Sequence, residues 1–325
     1  MELEGTDYHQ HDYIGKATHC HTHALMALVP ELHEFFDTPT IEILTTVPFG
    51  LRSVAADPNR LITCFVDPDI GLDRALGHLG LRFRLRSWDA RQDGGQEALS
   101  VLQDWLATGS VLLGPVDMSK LPYLFHPELL AGCDHYIVVT SLTPHAASVI
   151  DSEGHVGAVI EVRDLSDAWR GAGIPEGRGS FILRQVLDEA KPADLSTLFL
   201  RLLPSAIENL RLALTSFRSG PQAFYELAKE ADHLESAPSL LRGLTYTIPT
   251  RIQRLGFQRR FLSEIYSAVS ARGCVNEIVS VIFRQIEVLS DIMADIQERQ
   301  PPNLHRFNDL GDMEARATKL WLQLL

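Results

Sequence analysis

The chain has 325 residues, of which 45% are hydrophobic and 22% charged, and its formal net charge is −13. This composition is ordinary for a globular protein that can bury a large core, and the length predicts about two domains. The negative charge argues against sequence-independent binding to nucleic acid, which needs many Lys or Arg side chains on phosphates.

The sequence also predicts where the protein works. It has no run of about 18 apolar residues, and its first stretch, MELEGTDYHQ, is acidic and polar rather than a leader, so we expect a cytoplasmic protein without membrane spans. Four widely spaced cysteines form no CxxC motif and are expected to stay free thiols in a reducing compartment. They are Cys20, Cys64, Cys133 and Cys274.

The first part of the chain mixes short strand patterns with short helices. Residues 41–50 and 61–66 are apolar and predict short strands. Residues 81–88 alternate apolar and basic side chains, as a strand with one solvated face does. Residues 94–109 have the apolar spacing of an amphipathic helix.

From residue 110 onward, short turns separate a series of β-like runs. The predicted strands are residues 110–117, 134–142, 146–152 and 157–162. Consecutive strands joined by turns of a few residues favour an antiparallel sheet. A short helix is predicted over residues 164–173, and the Gly-, Pro- and Arg-rich stretch 170–179 predicts a connection.

Beyond this connection the pattern changes to helices. The segments with helical apolar spacing are residues 195–220, 221–234, 251–273, 275–299 and 311–325. We therefore predict an α+β fold in two domains: helices plus an antiparallel sheet over residues 1–172, then a helical domain over residues 180–325.

The stretch GKATHCHTHALMAL (15–28) surrounds one cysteine with three histidines. Good helix formers follow Cys20 and Thr18 is a suitable N-cap, so Cys20 is expected in the first turn of a helix. There the unpaired N–H groups and the helix dipole favour a thiolate. We expect His19 and His21 to line the mouth of the site or to help hold the thiolate.

A nucleophilic cysteine also needs a base and a group that orients that base. His135 heads an apolar strand, and Asp151 ends the next strand, so one hairpin brings the two together. The sequence predicts a catalytic site of Cys20, His135 and Asp151, with Glu153 as the rival of Asp151 for the orienting role.

Two other interpretations remain open at this point. A zinc site would use His19, His23, Cys133 and His135, since histidines four residues apart share a helix face, but the chain has neither HExxH nor CxxC spacing. Alternatively Cys20 is a buried, unreactive side chain in a non-catalytic interaction module, because free cysteines are commonly buried.

At these residues the chain resembles the papain-like fold. More closely it resembles the acyltransferases of the butirosin type. These are named for the enzyme that loads an aminoacyl side chain onto the aminoglycoside butirosin. The resembling segments, within the first 170 residues, are HC (19–20), VPFG (47–50), VLLGPVDMSKLPY (111–123), GCDHYIVV (132–139), VIDSEG (149–154) and DLSDAWR (164–170). The amide-forming condensing enzymes of lincosamide antibiotic biosynthesis look similar in outline.

The resemblance implies that Cys20 is the nucleophile, His135 the general base and Asp151 the orienting residue. It implies an amide-forming acyltransferase of antibiotic biosynthesis, which moves an aminoacyl group from the phosphopantetheine thioester of a carrier protein, through acyl-Cys20, to the amine of an amino sugar. Joining an alkylproline or proline to an octose is one such reaction. The thioester carries the activation, so no bound cofactor or metal is expected. The alternative is a cysteine peptidase or amidohydrolase of papain-like fold.

Papain-type peptidases place a Gln six residues before the cysteine to line the oxyanion hole, and here that position is Ile14. The backbone N–H of Cys20 is one expected donor. The second stays open among Gln10, Tyr13 and Thr18.

The partners follow from the same resemblance. A basic cluster in the helical domain is interpreted as a dock for the acidic carrier protein and its phosphate, since an acidic enzyme needs such a patch to bind an acidic partner. Its members are Arg251, Arg254, Arg259 and Arg260. The apolar-rich helices near the carboxyl terminus leave a homodimer open, and neither nucleic acid nor a membrane is expected as a partner.

Overall fold

The computed structural model of the chain describes residues 19–53, 62–88, 95–153, 155–174, 179–234, 238–266, 271–298, 303 and 305–324. It combines helices with antiparallel sheets and has a helical carboxy-terminal region, so the predicted α+β class is confirmed. The described helices, in chain order, are α1 (Cys20–Leu28), α2 (Leu32–Phe35), α3 (Thr38–Leu44), α4 (Pro68–Leu79), α5 (Gly95–Leu106), α6 (Val162–Arg170), α7 (Leu195–Thr215), α8 (Pro221–Leu234), α9 (Pro238–Ile265), α10 (Arg272–Gln297) and α11 (Arg306–Trp321).

The described strands are β1 (Leu51–Ser53), β2 (Ile62–Cys64), β3 (Phe83–Trp88), β4 (Val111–Asp117), β5 (Asp134–Leu142), β6 (Ala146–Asp151), β7 (His155–Glu161) and β8 (Ser180–Val186). Two short 3₁₀ turns, Met118–Lys120 and Pro127–Leu130, lie in the connection between β4 and β5. Within the described ranges, no helix has both the length and the apolar character that crossing a bilayer requires.

The chain forms two compact units, each made of two separate stretches. The first runs through Pro30 and resumes over Phe83–Glu189, and the second takes Glu31–Arg82 and the chain from Ala190 onward. The sequence predicted a single boundary between residues 172 and 180 instead. Residues 31–82 join the later helices because side chains far apart in sequence meet there; for example, Asn209 Nδ2 donates to the Thr46 carbonyl at 3.0 Å.

The first unit is built on a six-stranded antiparallel sheet with the strand order β3-β8-β4-β5-β6-β7. Strands β4 to β7 follow one another as a meander; short turns join β5 to β6 and β6 to β7, whereas residues 118–133 connect β4 to β5. Strand β8 inserts between β3 and β4 and is buried over most of its length. The sequence patterns did not predict this strand, because its three apolar residues 181–183 are followed by Arg184 and Gln185, buried polar side chains that leave no distinctive period.

Helices α5 and α6 pack on one face of this sheet and α1 packs against β4 and β5. Trp169 of α6 is fully buried, and its indole Nε1 donates to the Ile182 carbonyl at 2.9 Å. Helix α6 ends at Gly171, which takes the left-handed conformation (φ 63°) that closes a helix without strain. The sheet is thereby held between helices, and its β5–β6 hairpin is fixed in place.

The second unit contains helices α2–α4 and α7–α11 with the hairpin β1–β2. A buried polar cluster ties three of its helices together. Arg251 of α9 forms an ion pair with Glu314 of α11 at 2.9 Å, and Gln285 of α10 donates to the same carboxylate oxygen at 2.8 Å. Because the guanidinium and the carboxylate charges are paired with each other, they are tolerated within the packed helices.

The strand predicted over residues 41–50 is wrong, since α3 covers Thr38–Leu44. Asp37 caps this helix: its Oδ1 accepts the N–H of Thr40 at 3.0 Å. Pro39 stands in the first turn, where a missing N–H costs nothing. The capping signature outweighs the β-branched side chains that suggested a strand.

Candidate active site

Cys20 is the first residue of α1, as the sequence predicts. His19 precedes it as the N-cap residue, and the His19 carbonyl accepts the N–H groups of Thr22 at 3.1 Å and His23 at 3.2 Å. The thiol therefore stands in the first helical turn, where backbone N–H groups and the helix dipole favour negative charge. The predicted cap Thr18 lies outside the described residues.

His135 and Asp151 come from neighbouring strands, and the register explains their meeting. His135 of β5 lies opposite Val116 of β4, and Asp151 of β6 lies opposite Ile137 of β5. Ile137 is two residues beyond His135, on the same face of the strand, so Asp151 is a diagonal neighbour of His135. His135 Nε2 lies 2.7 Å from Asp151 Oδ1, with the two side chains 1% and 0% exposed.

His135 acts on the Cys20 thiol through hydrogen bonding and charge, both of which lower the pKa of Cys20. Because Nε2 of the imidazole faces Asp151, Nδ1 is the ring nitrogen left for the sulfur. The structure thus brings the three predicted residues together in the order cysteine, histidine and carboxylate, an order that can activate a cysteine.

The carboxylate of Asp151 is held by three donors. Its Oδ1 accepts His135 Nε2 and the backbone N–H of Glu153, each at 2.7 Å. Its Oδ2 accepts the hydroxyl of Tyr123 at 2.7 Å. Of the two carboxylates considered from the sequence, Asp151 contacts the imidazole, whereas Glu153 contributes its backbone N–H.

Tyr123 is the site residue that the sequence reasoning did not single out. It lies in the connection between β4 and β5, after the turn Met118–Lys120, and its ring is tilted against that of His155 with centroids 5.3 Å apart. The connection has no helix or strand period that assigns a direction to its side chains. The sequence signal that could have identified Tyr123 is its position, as a hydroxyl-bearing aromatic residue shortly before the strand that carries His135.

The pKa shifts describe the charge state of the site. Burial raises the pKa of a thiol, yet hydrogen bonds from His135 and His21 hold the pKa of Cys20 below its ordinary value. Burial lowers the pKa of an imidazole, yet its bonds to Asp151 and Cys20 hold the pKa of His135 well above its usual range. Burial raises the pKa of Asp151, but the hydrogen bond and charge of His135 bring it below the ordinary value. The site therefore favours a thiolate–imidazolium pair.

Two further histidines border the thiol. His21 hydrogen-bonds with Cys20, and its ring stands edge-on to Tyr136 with centroids 6.0 Å apart. His19 lies edge-on to His21 at 6.4 Å and is only 3% exposed. His19 and His21 were expected to line the mouth of the site or to help hold the thiolate; His19 is buried beside His21, which is the second of these two positions.

Two of the four predicted docking arginines are turned into the helical unit. Arg251 is 7% exposed and donates from Nη1 to the Pro48 carbonyl at 3.1 Å, besides its ion pair with Glu314. Arg254 pairs at 3.0 Å with Glu42, whose side chain is fully buried. Both guanidinium groups thus neutralise internal carboxylates, and the predicted role in docking is withdrawn for these two residues.

The other two arginines face solvent. Arg259 is exposed, with its guanidinium 5.8 Å from the ring centroid of Phe283. Arg260 is exposed and pairs with Asp37 and Glu264. The pairs of Arg260 leave it partly neutralised, so Arg259 is the member of the predicted cluster with the more available positive charge.

The residues considered for a zinc site are not grouped around a common point. In the part of the chain that the structure describes, no three His, Cys, Asp or Glu side chains are grouped to hold a metal ion. The predicted ligands His19, His23, Cys133 and His135 therefore do not converge. Position 14 and the candidate second oxyanion donors Gln10, Tyr13 and Thr18 lie outside the described residues, and the Cys20 backbone N–H is the donor that α1 places at the sulfur.

The first unit is thus an α+β unit that carries a Cys–His–Asp triad. No known family model matches the chain. It is 26% identical over 167 residues to the uncharacterized protein YobF of Bacillus subtilis (strain 168). The match covers 51% of this chain and 53% of YobF, so the chain spans about half the length of the relative it matches. Because YobF is uncharacterized, this similarity does not indicate an activity for the chain.

Proposed function

We propose that the first unit is a papain-like catalytic domain and that the protein is a cysteine-dependent acyltransferase that forms amides. One observation carries the proposal: His135 is hydrogen-bonded to Asp151 at 2.7 Å and acts on Cys20, whose pKa it lowers. A strand-held base and a helix-held nucleophile are also the arrangement implied by the resemblance to the butirosin-type acyltransferases.

In the first half-reaction, the Cys20 thiolate attacks the carbonyl carbon of an aminoacyl thioester. A C–S bond to Cys20 forms, the carbonyl oxygen becomes an oxyanion, and the Cys20 backbone N–H donates to it. Collapse breaks the C–S bond to phosphopantetheine, and the His135 imidazolium gives its proton to the departing thiolate. The products are acyl-Cys20, a free pantetheine thiol and neutral His135.

In the second half-reaction, the amine of the acceptor attacks the acyl-Cys20 carbonyl. The neutral imidazole of His135 takes a proton from the amine, and the C–S bond breaks to give the amide. Cys20 leaves as the thiolate, which restores the starting ion pair. Asp151 holds the ring through Nε2 in both steps, so Nδ1 stays directed at the reacting sulfur.

The resemblance supplies the substrate class of the proposal. The donor is an aminoacyl group on the phosphopantetheine of a carrier protein, the acceptor is an amino sugar, and the setting is antibiotic biosynthesis in the cytoplasm, with the lincosamide condensation of a proline-type acid as one example. Arg259 and Arg260 are the exposed basic residues left for the acidic carrier protein.

The test is a product assay on the full chain with a prolyl-pantetheine thioester and glucosamine as acceptor. We expect the amide, with loss of product in Cys20→Ala and retention in Cys274→Ala, which removes a thiol of the helical unit. Release of free acid at one rate with or without the amine would replace the proposal by a cysteine peptidase or amidohydrolase.

A further inference from the structure

We propose that Tyr123 is a positioning residue, which fixes the Asp151 carboxylate in the one orientation that keeps His135 directed at Cys20. The inference rests on the proposed catalytic role of Cys20, but it is independent of which acyl group or acceptor the site uses.

The hydrogen bonds at Asp151 are distributed unequally over its two oxygens. Oδ1 serves His135 Nε2 and the Glu153 N–H, whereas Oδ2 has the Tyr123 hydroxyl. A carboxylate held at one oxygen only can turn about its Cβ–Cγ bond. The Tyr123 hydroxyl prevents this rotation, because turning the carboxylate would break its bond to Tyr123 as well as its bond to His135.

The hydrogen bond from Tyr123 is important because the Asp151 carboxylate is buried. The Asp151 side chain is 0% exposed, so solvent does not reach Oδ2 to replace a lost donor. A buried carboxylate oxygen without a donor is strongly unfavourable, and the group relaxes by moving toward other donors. Loss of the hydroxyl is therefore expected to draw Asp151 away from the imidazole.

Tyr123 is itself held in place as a donor. Its ring packs against His155, with centroids 5.3 Å apart. Burial and the charge of Asp151 raise the pKa of Tyr123 above its ordinary value, so the hydroxyl keeps its proton throughout the range in which the thiolate forms. The donor role is thus permanent and is not switched by pH.

A displaced Asp151 affects the Cys20 sulfur through His135. Hydrogen bonding from His135 and His21 and the charge of His135 favour the Cys20 thiolate, whereas the charge of Asp134 opposes it. If Asp151 no longer holds the imidazolium, the positive contribution of His135 weakens and the thiolate becomes harder to form. Removal of the Tyr123 hydroxyl is expected to raise the pKa of Cys20.

The experiment measures the rate of alkylation of Cys20 by iodoacetamide against pH, on the full chain, with Cys20 followed by peptide mass. In Tyr123→Phe we expect the acid limb to move to higher pH, with about a tenfold lower rate on that limb and an unchanged plateau at high pH. The control is Tyr225→Phe, which removes a hydroxyl that donates at 2.7 Å to Asp312 of the helical unit, and its profile is expected to match wild type.

A second variant distinguishes a positioning role of Tyr123 from a general loss of structure. In an Asp151→Asn background, Tyr123→Phe is expected to move the acid limb no further, because the two residues act through one contact. Coincident profiles of wild type and Tyr123→Phe would overturn the inference. So would a rate lowered by one factor at every pH, or a full additional shift in the Asp151→Asn background. Alkylation needs no acyl donor, so these results stand whether or not acyl transfer is found.

Discussion

His135 Nε2 and Asp151 Oδ1 lie 2.7 Å apart, and neither side chain is more than 1% exposed. A charged hydrogen bond at such burial is little screened by solvent or salt. The pair therefore behaves as one unit: the carboxylate favours the imidazolium, and the imidazolium favours the Cys20 thiolate.

Asp151→Asn is expected to slow alkylation of Cys20 by about tenfold near pH 6, since the neutral amide no longer supports the imidazolium charge. Glu153→Gln is the matched control: it keeps the backbone N–H that donates to Asp151, so the rate should stay within about twofold of wild type. Equal losses in the two variants would show that the orienting carboxylate has been misassigned.

The pH dependence of the wild-type thiol follows from the two opposite shifts. The lowered pKa of Cys20 means that the thiolate survives as the pH falls below the ordinary thiol value. The raised pKa of His135 means that the imidazolium survives as the pH rises above the ordinary histidine value. Together the two shifts widen the pH interval over which the thiolate and the imidazolium coexist.

Cys274 provides an internal reference for this measurement. Burial and the nearby charge of Glu277 raise the pKa of Cys274, so it should react with iodoacetamide only at alkaline pH. We expect Cys20 to be alkylated faster than Cys274 at neutral pH in the same sample. If the two thiols followed one pH curve, the ion pair would not exist in solution.

The buried pair of Arg251 and Glu314 predicts an effect on stability rather than on partner binding. Glu314→Ala leaves the guanidinium uncompensated inside the helical unit, which is expected to lower the free energy of unfolding by about 3–5 kcal/mol. Glu277→Ala, which removes the partner of the exposed Arg316, should cost less than about 1 kcal/mol. Urea unfolding measures both, and similar small losses would contradict the buried cluster.

The cap of α3 gives a separate test of the fold. Asp37→Ala removes the acceptor of the Thr40 N–H, whereas Asp37→Asn keeps an acceptor, and both variants lose the ion pair with Arg260. The difference between the two variants therefore isolates the cap, and we expect Ala to be less stable than Asn by about 1 kcal/mol in urea unfolding. Equal stabilities would remove the explanation given for a helix at this position.

The meander and the site were predictable for a common reason. Strands β5 to β7 are joined by local turns, and a hairpin register places a residue near the end of β6 beside one near the start of β5, as Asp151 and His135 show. Cys20 was predictable because helix formers follow it directly. These relations depend on neighbours in sequence, where periodicity and turn residues carry the information.

The rest depends on partners that are distant in sequence. The sequence places Arg251 and Arg254 in one basic cluster, but only the fold shows that they pair with Glu314 and Glu42. The pair of Arg254 and Glu42 joins residues 212 positions apart, and such contacts group residues 31–82 with the later helices. Tyr123 belongs to the same class, because an irregular connection gives its hydroxyl no predictable direction.

The central claim is that Cys20 carries an acyl group, and intact-protein mass spectrometry tests it most directly. The full chain is mixed with a panel of aminoacyl-pantetheine thioesters that includes the prolyl compound. We predict a mass increase of one acyl group on wild type and on Cys274→Ala, and none on Cys20→Ala. An adduct that persists in Cys20→Ala would contradict the account, and so would the absence of any adduct while iodoacetamide alkylates Cys20 freely.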